Sequence, residues 1–234
     1  MVNWDVYSFY RDLSAFISLA RKFDLPMELE SLSELENYFQ HNEEFKLDAN
    51  NIVFTIDKKI SGTIPSEIEL IEVIFTHKCE IDYNRDVITN DLISVYDFQI
   101  QIKAYDSDCK EYINWWHLDK NIPSSSPKFT HPYYHFQIGG NAMEMVNSGE
   151  VVFLGSPRLP HPPMDLFLGI HFIINNFFSS KDYKFVKELL ENDIYKGIII
   201  NAQKRVWDNY FNSFNTPNAH LDFNKSNVFP LYIN

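Results

Sequence analysis

Apolar positions recur at steps of three and four over residues 4–22, where Trp4, Tyr7, Phe9, Tyr10, Leu13, Phe16, Ile17 and Ala20 form one stripe. That spacing predicts an amphipathic helix that stops after Phe23, ahead of Pro26. Ser31 with Glu34 has the spacing of a capping box, so a second, shorter helix should follow and end near Tyr38 and Phe39. Residues 41–51 are polar and read as a linker. From residue 52 the period shortens to two. Residues 52–56, 67–75 and 92–105 alternate, with Glu67, Glu69 and Glu72 outward in the second of them, and the turn Asp106-Ser107-Asp108 should fold residues 111–118 back as a hairpin. Strands over 131–138 and 150–154 would complete an antiparallel meander of about five to seven strands.

A proline-stiffened stretch, 156–165, leads into residues 164–178, which are apolar nearly all round and should therefore lie centrally against the sheet. Pro162 and Pro163 suit a first helical turn, and Asp165 suits the positive end of the helix dipole. Two further helices are expected. Residues 181–195 carry Phe185, Val186, Leu189 and Leu190 inward, and residues 198–214 carry Ile199, Ala202, Val206, Trp207, Tyr210 and Phe211 at helical spacing. The tail is mostly irregular, with a last strand at 228–233. The fold expected is a single α+β domain: a helical segment over 1–45, an antiparallel sheet over 52–155, and C-terminal helices over 163–214 packed on one face.

Composition narrows this picture. A chain of 234 residues with 45% hydrophobic and 16% aromatic residues but only 7 glycines can build one substantial core and is not a disordered chain. The net charge of −12 argues against a broad basic face for gripping duplex phosphates, leaving room for a small basic pocket or a basic partner. Cys79 and Cys109 are too few for a disulfide framework and lack metal-type spacing, which points to a reducing, cytoplasmic setting. Asp5, Arg11 and Asp12 interrupt the apolar residues near the start, so no signal-peptide core is expected there. The longest apolar run, 166–178, is shorter than the roughly 18–20 residues of a membrane span, and no membrane association is expected.

Five of the eight histidines lie between His117 and His171. On a strand over 131–138, His131, Tyr133, His135 and Gln137 share one face, and Tyr134, Phe136 and Ile138 share the other. Trp115, His117 and Asp119 share a face of the preceding segment. If the two segments pair, His117, Asp119, His131, Tyr133 and His135 meet on one surface. Such a group suits phosphodiester cleavage, in which one imidazole takes the 2′-hydroxyl proton while an acid protonates the leaving oxygen. Two other readings stand beside it: hydrogen-bonded surface groups, and a metal site from His117, Asp119, His131 and His135, whose spacing matches no established metal signature. No metal or other cofactor is expected. Arg158 and His161 stand beside a helix N-terminus, a natural place for an anion, although the prolines around them could simply stiffen the crossing while Arg158 pairs with an acid. Gly139-Gly140 reads as a turn, His171 as a core histidine, and Cys79, two residues from His77, as a structural thiol. Gly-x-Ser-x-Gly, Walker and His-Glu-x-x-His motifs are absent.

The segment Tyr96-Asp-Phe-Gln-Ile-Gln-Ile-Lys-Ala-Tyr105, the acidic turn after it, Trp116-His117 with Asp119, and His131-Pro-Tyr-Tyr-His135 together resemble the core of small TumE-type toxins of prokaryotic toxin–antitoxin pairs. The resemblance covers residues 90–140. It implies a compact antiparallel sheet, a cytoplasmic toxin or antiphage-defence effector, and an RNA-directed activity carried by His117, Asp119, His131 and His135. The 156–165 loop is similar to one in a bacterial family of no assigned function. As a ribonuclease, the chain would use His135 as the base, His131 or His117 as the acid, and Arg158 to stabilise the phosphorane. Its partners would be a cognate antitoxin or defence-complex protein and RNA, with self-association left open. The competing expectation is a non-catalytic accessory or immunity subunit that binds a protein through its acidic, aromatic-rich surface.

Overall fold

A computed structural model describes residues 4–86, 88–121, 131–140, 143–144, 146, 158–212 and 221–231. Helices α1 (Val6–Lys22) and α2 (Glu30–His41) lead into a run of strands β1 (Lys46–Ile56), β2 (Ile68–Ile81), β3 (Ile93–Asp106), β4 (Glu111–Lys120), β5 (Tyr134–Ile138) and β6 (Leu159–Pro160). Helices α3 (Leu166–Phe177), α4 (Lys184–Glu191), α5 (Asp193–Asn212) and the short α6 (Lys225–Val228) complete the described elements. The strands form one six-stranded antiparallel sheet in sequence order, so the fold is α+β as its periodicities predict. Among the described residues no helix is long and apolar enough to cross a membrane.

Several boundaries differ from the sequence reading, each for a local reason. The predicted linker over 41–51 is largely strand. Asn51, at φ 51°, sits in a bulge where the β1–β2 register shifts, and the slipped alternation hides a strand that starts at Lys46. The capping box is not formed: α2 begins at Glu30, Leu29 stands at its N-cap without a side-chain bond, and Ser33 bonds back to the Leu29 carbonyl. Pro162 and Pro163 precede α3 and are not in its first turn, whereas Asp165 does cap it, accepting from the Leu168 amide at 3.0 Å. Asn192 accepts from the Ile194 and Tyr195 amides and so starts a new helix inside the predicted 181–195 span. The expected strand at 228–233 is not found at its described end, because the Asn224 side chain caps the helical turn Lys225–Val228. The strand expected at 150–154 lies outside the described residues.

The core lies between the sheet and the helices. On the helix-facing side β2 presents Ile71, Val73, Phe75, His77 and Cys79, β3 presents Phe98 and Ile100, and β4 presents Trp116 and Leu118. Gly169 lets α3 come close: a Cβ there would lie 2.8 Å from the Phe98 ring. The rings of Trp4, Phe9, Phe39, Phe45 and Phe167 pack on one another and tie α1, α2 and α3 together, with Phe45 edge-on to Trp4 and Phe9. With one face committed to this core, the alternate residues of β3, β4 and β5 are turned to the other face. That face carries the candidate chemistry.

Candidate functional site

The β4–β5 pairing puts Asp119 opposite His135 and His117 opposite Gln137, while β3 places Gln99 across from His117. Trp115, His117, Asp119, His135 and Gln137 therefore share the face away from the helices, as their alternation predicts. Asp119 is the junction. Its Oδ2 lies 2.9 Å from His117 Nδ1 and 3.8 Å from His135 Nε2. The His131 ring stands edge-on to His135 with centroids 4.8 Å apart. Arg158 directly precedes β6, whose Leu159 pairs with Phe136, and its charge acts on both His131 and His135.

The shared carboxylate and the burial push these histidines in opposite directions. Hydrogen bonding to Asp119 raises the His117 pKa above 6.5 against the cost of burial, with smaller help from the charge of Asp119. Burial lowers that of His131, and the Arg158 charge lowers it further. His135 is pushed down to about 4, mainly by burial. It is only 2% exposed, and its Nδ1 donates to the Pro132 carbonyl at 3.2 Å. It is thus a neutral, inward ring and not the accessible base expected from the sequence. Of the six buried side-chain nitrogens that lack a hydrogen-bond partner among the described residues, three belong to this cluster: His117 Nε2, His131 Nδ1 and Arg158 Nε. No three His, Cys, Asp or Glu side chains among the described residues are arranged to hold a metal ion. No family model, curated protein or solved structure significantly matches this chain.

Two predicted members are elsewhere. Tyr133 precedes β5 and turns to the helix side, where it is buried against Phe223 and its hydroxyl reaches Asp91 at 3.3 Å. Burial beside Asp91 pushes its pKa well above the ordinary value, which makes it a fixed donor with no role in proton transfer. His161 also faces the helices, with its ring on Phe136 and Nδ1 2.7 Å from the Pro162 carbonyl. The α3 N-terminus is capped by Asp165, which is itself buried and 2.9 Å from Arg205 Nε, so the chain's own carboxylate stands at that helix end. His171 is a satisfied helix histidine bonded to the Tyr195 hydroxyl at 3.0 Å. Cys79 is buried with its thiol pKa raised by desolvation, an inert thiol.

Sequence reasoning missed the anchor that holds β5. Asp91 Oδ2 receives the Tyr134 hydroxyl at 2.7 Å and the Lys120 ammonium at 2.9 Å, and Lys120 also donates to the Ile93 carbonyl. Residues 221–231 brace the same point: Asp222 accepts from the Asp91 amide, and the Asn227 carbonyl accepts from the Tyr133 amide. The available signal was Lys120 itself, a cation at an inward position of a strand whose neighbours there, Trp116 and Leu118, are apolar.

The Gly139-Gly140 turn has a specific duty. Both residues have positive φ, 87° and 91°, and a Cβ on Gly140 would lie 3.0 Å from His117 Nε2. Gly140→Ala is therefore expected to cost about 1–3 kcal/mol through backbone strain. It should also displace the His117 ring, visible as a changed His117 titration by NMR. A wild-type titration with unchanged stability would show that the turn does not constrain His117.

Proposed function

We propose that this protein cleaves RNA by acid–base catalysis at the His117–Asp119–His131–Arg158 cluster, acting as a cytoplasmic toxin or defence-type effector of the kind the TumE resemblance implies. The observation that carries the reading is one carboxylate, Asp119, 2.9 Å from His117 Nδ1 in a cluster whose other histidines are held neutral. Environments that split the pKa values of neighbouring groups assign an acid and a base.

His131, lowered and partly exposed, takes the 2′-hydroxyl proton as the 2′-oxygen bonds to phosphorus. His117, raised by Asp119, is the imidazolium that protonates the departing 5′-oxygen as the P–O5′ bond breaks, leaving a 2′,3′-cyclic phosphate and a 5′-hydroxyl. Arg158 offsets the charge of the phosphorane. Asp119 fixes the His117 tautomer, and buried His135 holds the place of both neighbours. The pH dependence follows with its sign. Activity rises as His131 loses its proton at a pKa below 6.5 and falls as His117 loses its own above 6.5, giving a bell around neutrality.

The test is induced expression of wild type beside His131→Ala and His117→Asn, with growth followed and total RNA sized. Wild type should arrest growth and fragment RNA, and each variant should lose about 10²- to 10⁴-fold in cleavage while melting like wild type. Cleavage at wild-type rates in both variants would overturn the assignment. The net charge of −12 favours one second reading, an accessory or immunity subunit for a basic protein partner. An inert wild type that co-purifies stoichiometrically with a protein would support it.

A further inference from the structure

Resting on the acid–base reading above, we infer that the sheet face beside the cluster binds an unpaired RNA segment, with Trp115 as the platform on which a base next to the scissile phosphate stacks. Trp115 lies two residues from His117 on the same face of β4, and its register partner on β3 is Gln101. The residue is partly exposed. Trp4, Trp116 and Trp207 each pack on another aromatic ring, whereas Trp115 has no ring partner among the described residues. A partly exposed aromatic ring without a ring partner, two residues from His117 on the same sheet face, is free to take one. Every nucleobase has a π-face to cover it.

The polar neighbours fit the same occupant. His117 is bracketed across the sheet by Gln99 and Gln137. The Gln99 amide nitrogen donates to Asp97 at 2.7 Å, which fixes the side chain and leaves its carbonyl oxygen as an acceptor with no donor among the described residues. Amides of this kind meet the ribose hydroxyl or the edges of a splayed-out base. Charge decides between single and double strand. Lys78 and Lys103 on this face are already beside Asp48 and Glu111, so among the described residues Arg158 is left as the main group for phosphate, and one cation cannot track a duplex. In a duplex the base faces are also stacked away from Trp115. Only an unpaired segment offers a free base face together with a phosphate.

The experiment measures binding, kept separate from cleavage, with a short fluorescent 2′-O-methyl oligoribonucleotide of mixed sequence, which lacks the attacking hydroxyl. Wild type should bind it in single-stranded form and bind the same sequence far more weakly as a duplex. Its salt dependence should correspond to about one phosphate contact. Trp115→Ala should weaken binding roughly ten- to hundredfold, and Trp115→Phe should restore most of it. Trp115→Ala binding like wild type, equal affinity for the duplex, or no binding by wild type would each overturn the inference, as would a protein partner that masks Trp115 while RNA does not bind. Trp115-dependent binding without cleavage of natural RNA would uphold the inference and overturn the catalytic reading alone.

Discussion

Arg205→Ala is expected to destabilise the fold by about 3–5 kcal/mol, the usual cost of breaking a buried ion pair by removing one partner. The Arg205 side chain is only 2% exposed, with Nε 2.9 Å from Asp165 Oδ2 and Nη2 3.7 Å from Asp12 Oδ2. Its guanidinium also lies against the Phe9, Trp4 and Phe167 rings, so the truncation removes cation–π contacts as well. The loss strands two carboxylates in the core between α1, α3 and α5. Urea denaturation at neutral pH measures it directly. Burial already pushes the Asp12 pKa up, so the variant's penalty should shrink as the pH falls and the stranded Asp12 takes a proton. A loss below about 1 kcal/mol would mean that water reaches the triad. Replacing Arg205 and Asp12 by apolar residues of similar volume and Asp165 by Asn, which keeps the α3 cap, should cost less than Arg205→Ala, because most of the cost lies in the uncompensated charge.

The second large effect is a loss of stability in mild acid caused by His77. This ring is fully buried beneath the helices, sandwiched by Phe75, Tyr96 and Phe98, with Nδ1 donating to the Asp97 carbonyl at 2.9 Å and Nε2 unpartnered. Burial lowers its pKa from 6.5 to about 4. The unfolded chain therefore takes up the proton first. The stabilising contribution is complete above pH 6.5, is lost as the pH falls from there toward 4, and changes no further below. The full loss is about 3 kcal/mol, and His135, pushed down to about 4 as well, adds in the same direction. Comparing unfolding free energies at about pH 7.5 and about pH 5, His77→Phe should narrow the gap by about 2 kcal/mol. An unchanged gap would mean that His77 is charged in the folded protein.

The candidate site shows where sequence reasoning works and where it stops. Period-two alternation assigned Trp115, His117, Asp119, His135 and Gln137 to one face, and the register agrees, because that pattern depends only on strand geometry. Tyr133 broke the pattern because it stands just before β5, where Asp91 and the Asn227 carbonyl hold it and the strand alternation has not begun. His161, read as an anion-site residue, turns to the helix side through the prolines around it, which set a local backbone direction that no periodicity records. Arg205 was legible in a weaker sense: it stands in the inward stripe between Ala202 and Val206, where a cation needs buried partners. Nothing local identified those partners as Asp12 and Asp165.

The sequence by itself determined the α+β class, the antiparallel hairpins, the central apolar helix and the identity of the histidine-bearing face. These follow from interactions between residues a few positions apart, and periodicity encodes them. Only the tertiary structure decided that β1 begins at Lys46 through a bulge, that Asp119 is shared by two histidines, that His135 is buried while His131 is not, and that Arg205 joins three helices. Those outcomes depend on desolvation and on pairing between segments distant in the chain, such as Arg205 with Asp12 and Asp222 with Asp91. Burial and charge then set the pKa values on which the proposed chemistry depends, and neither is a property of any single stretch of sequence.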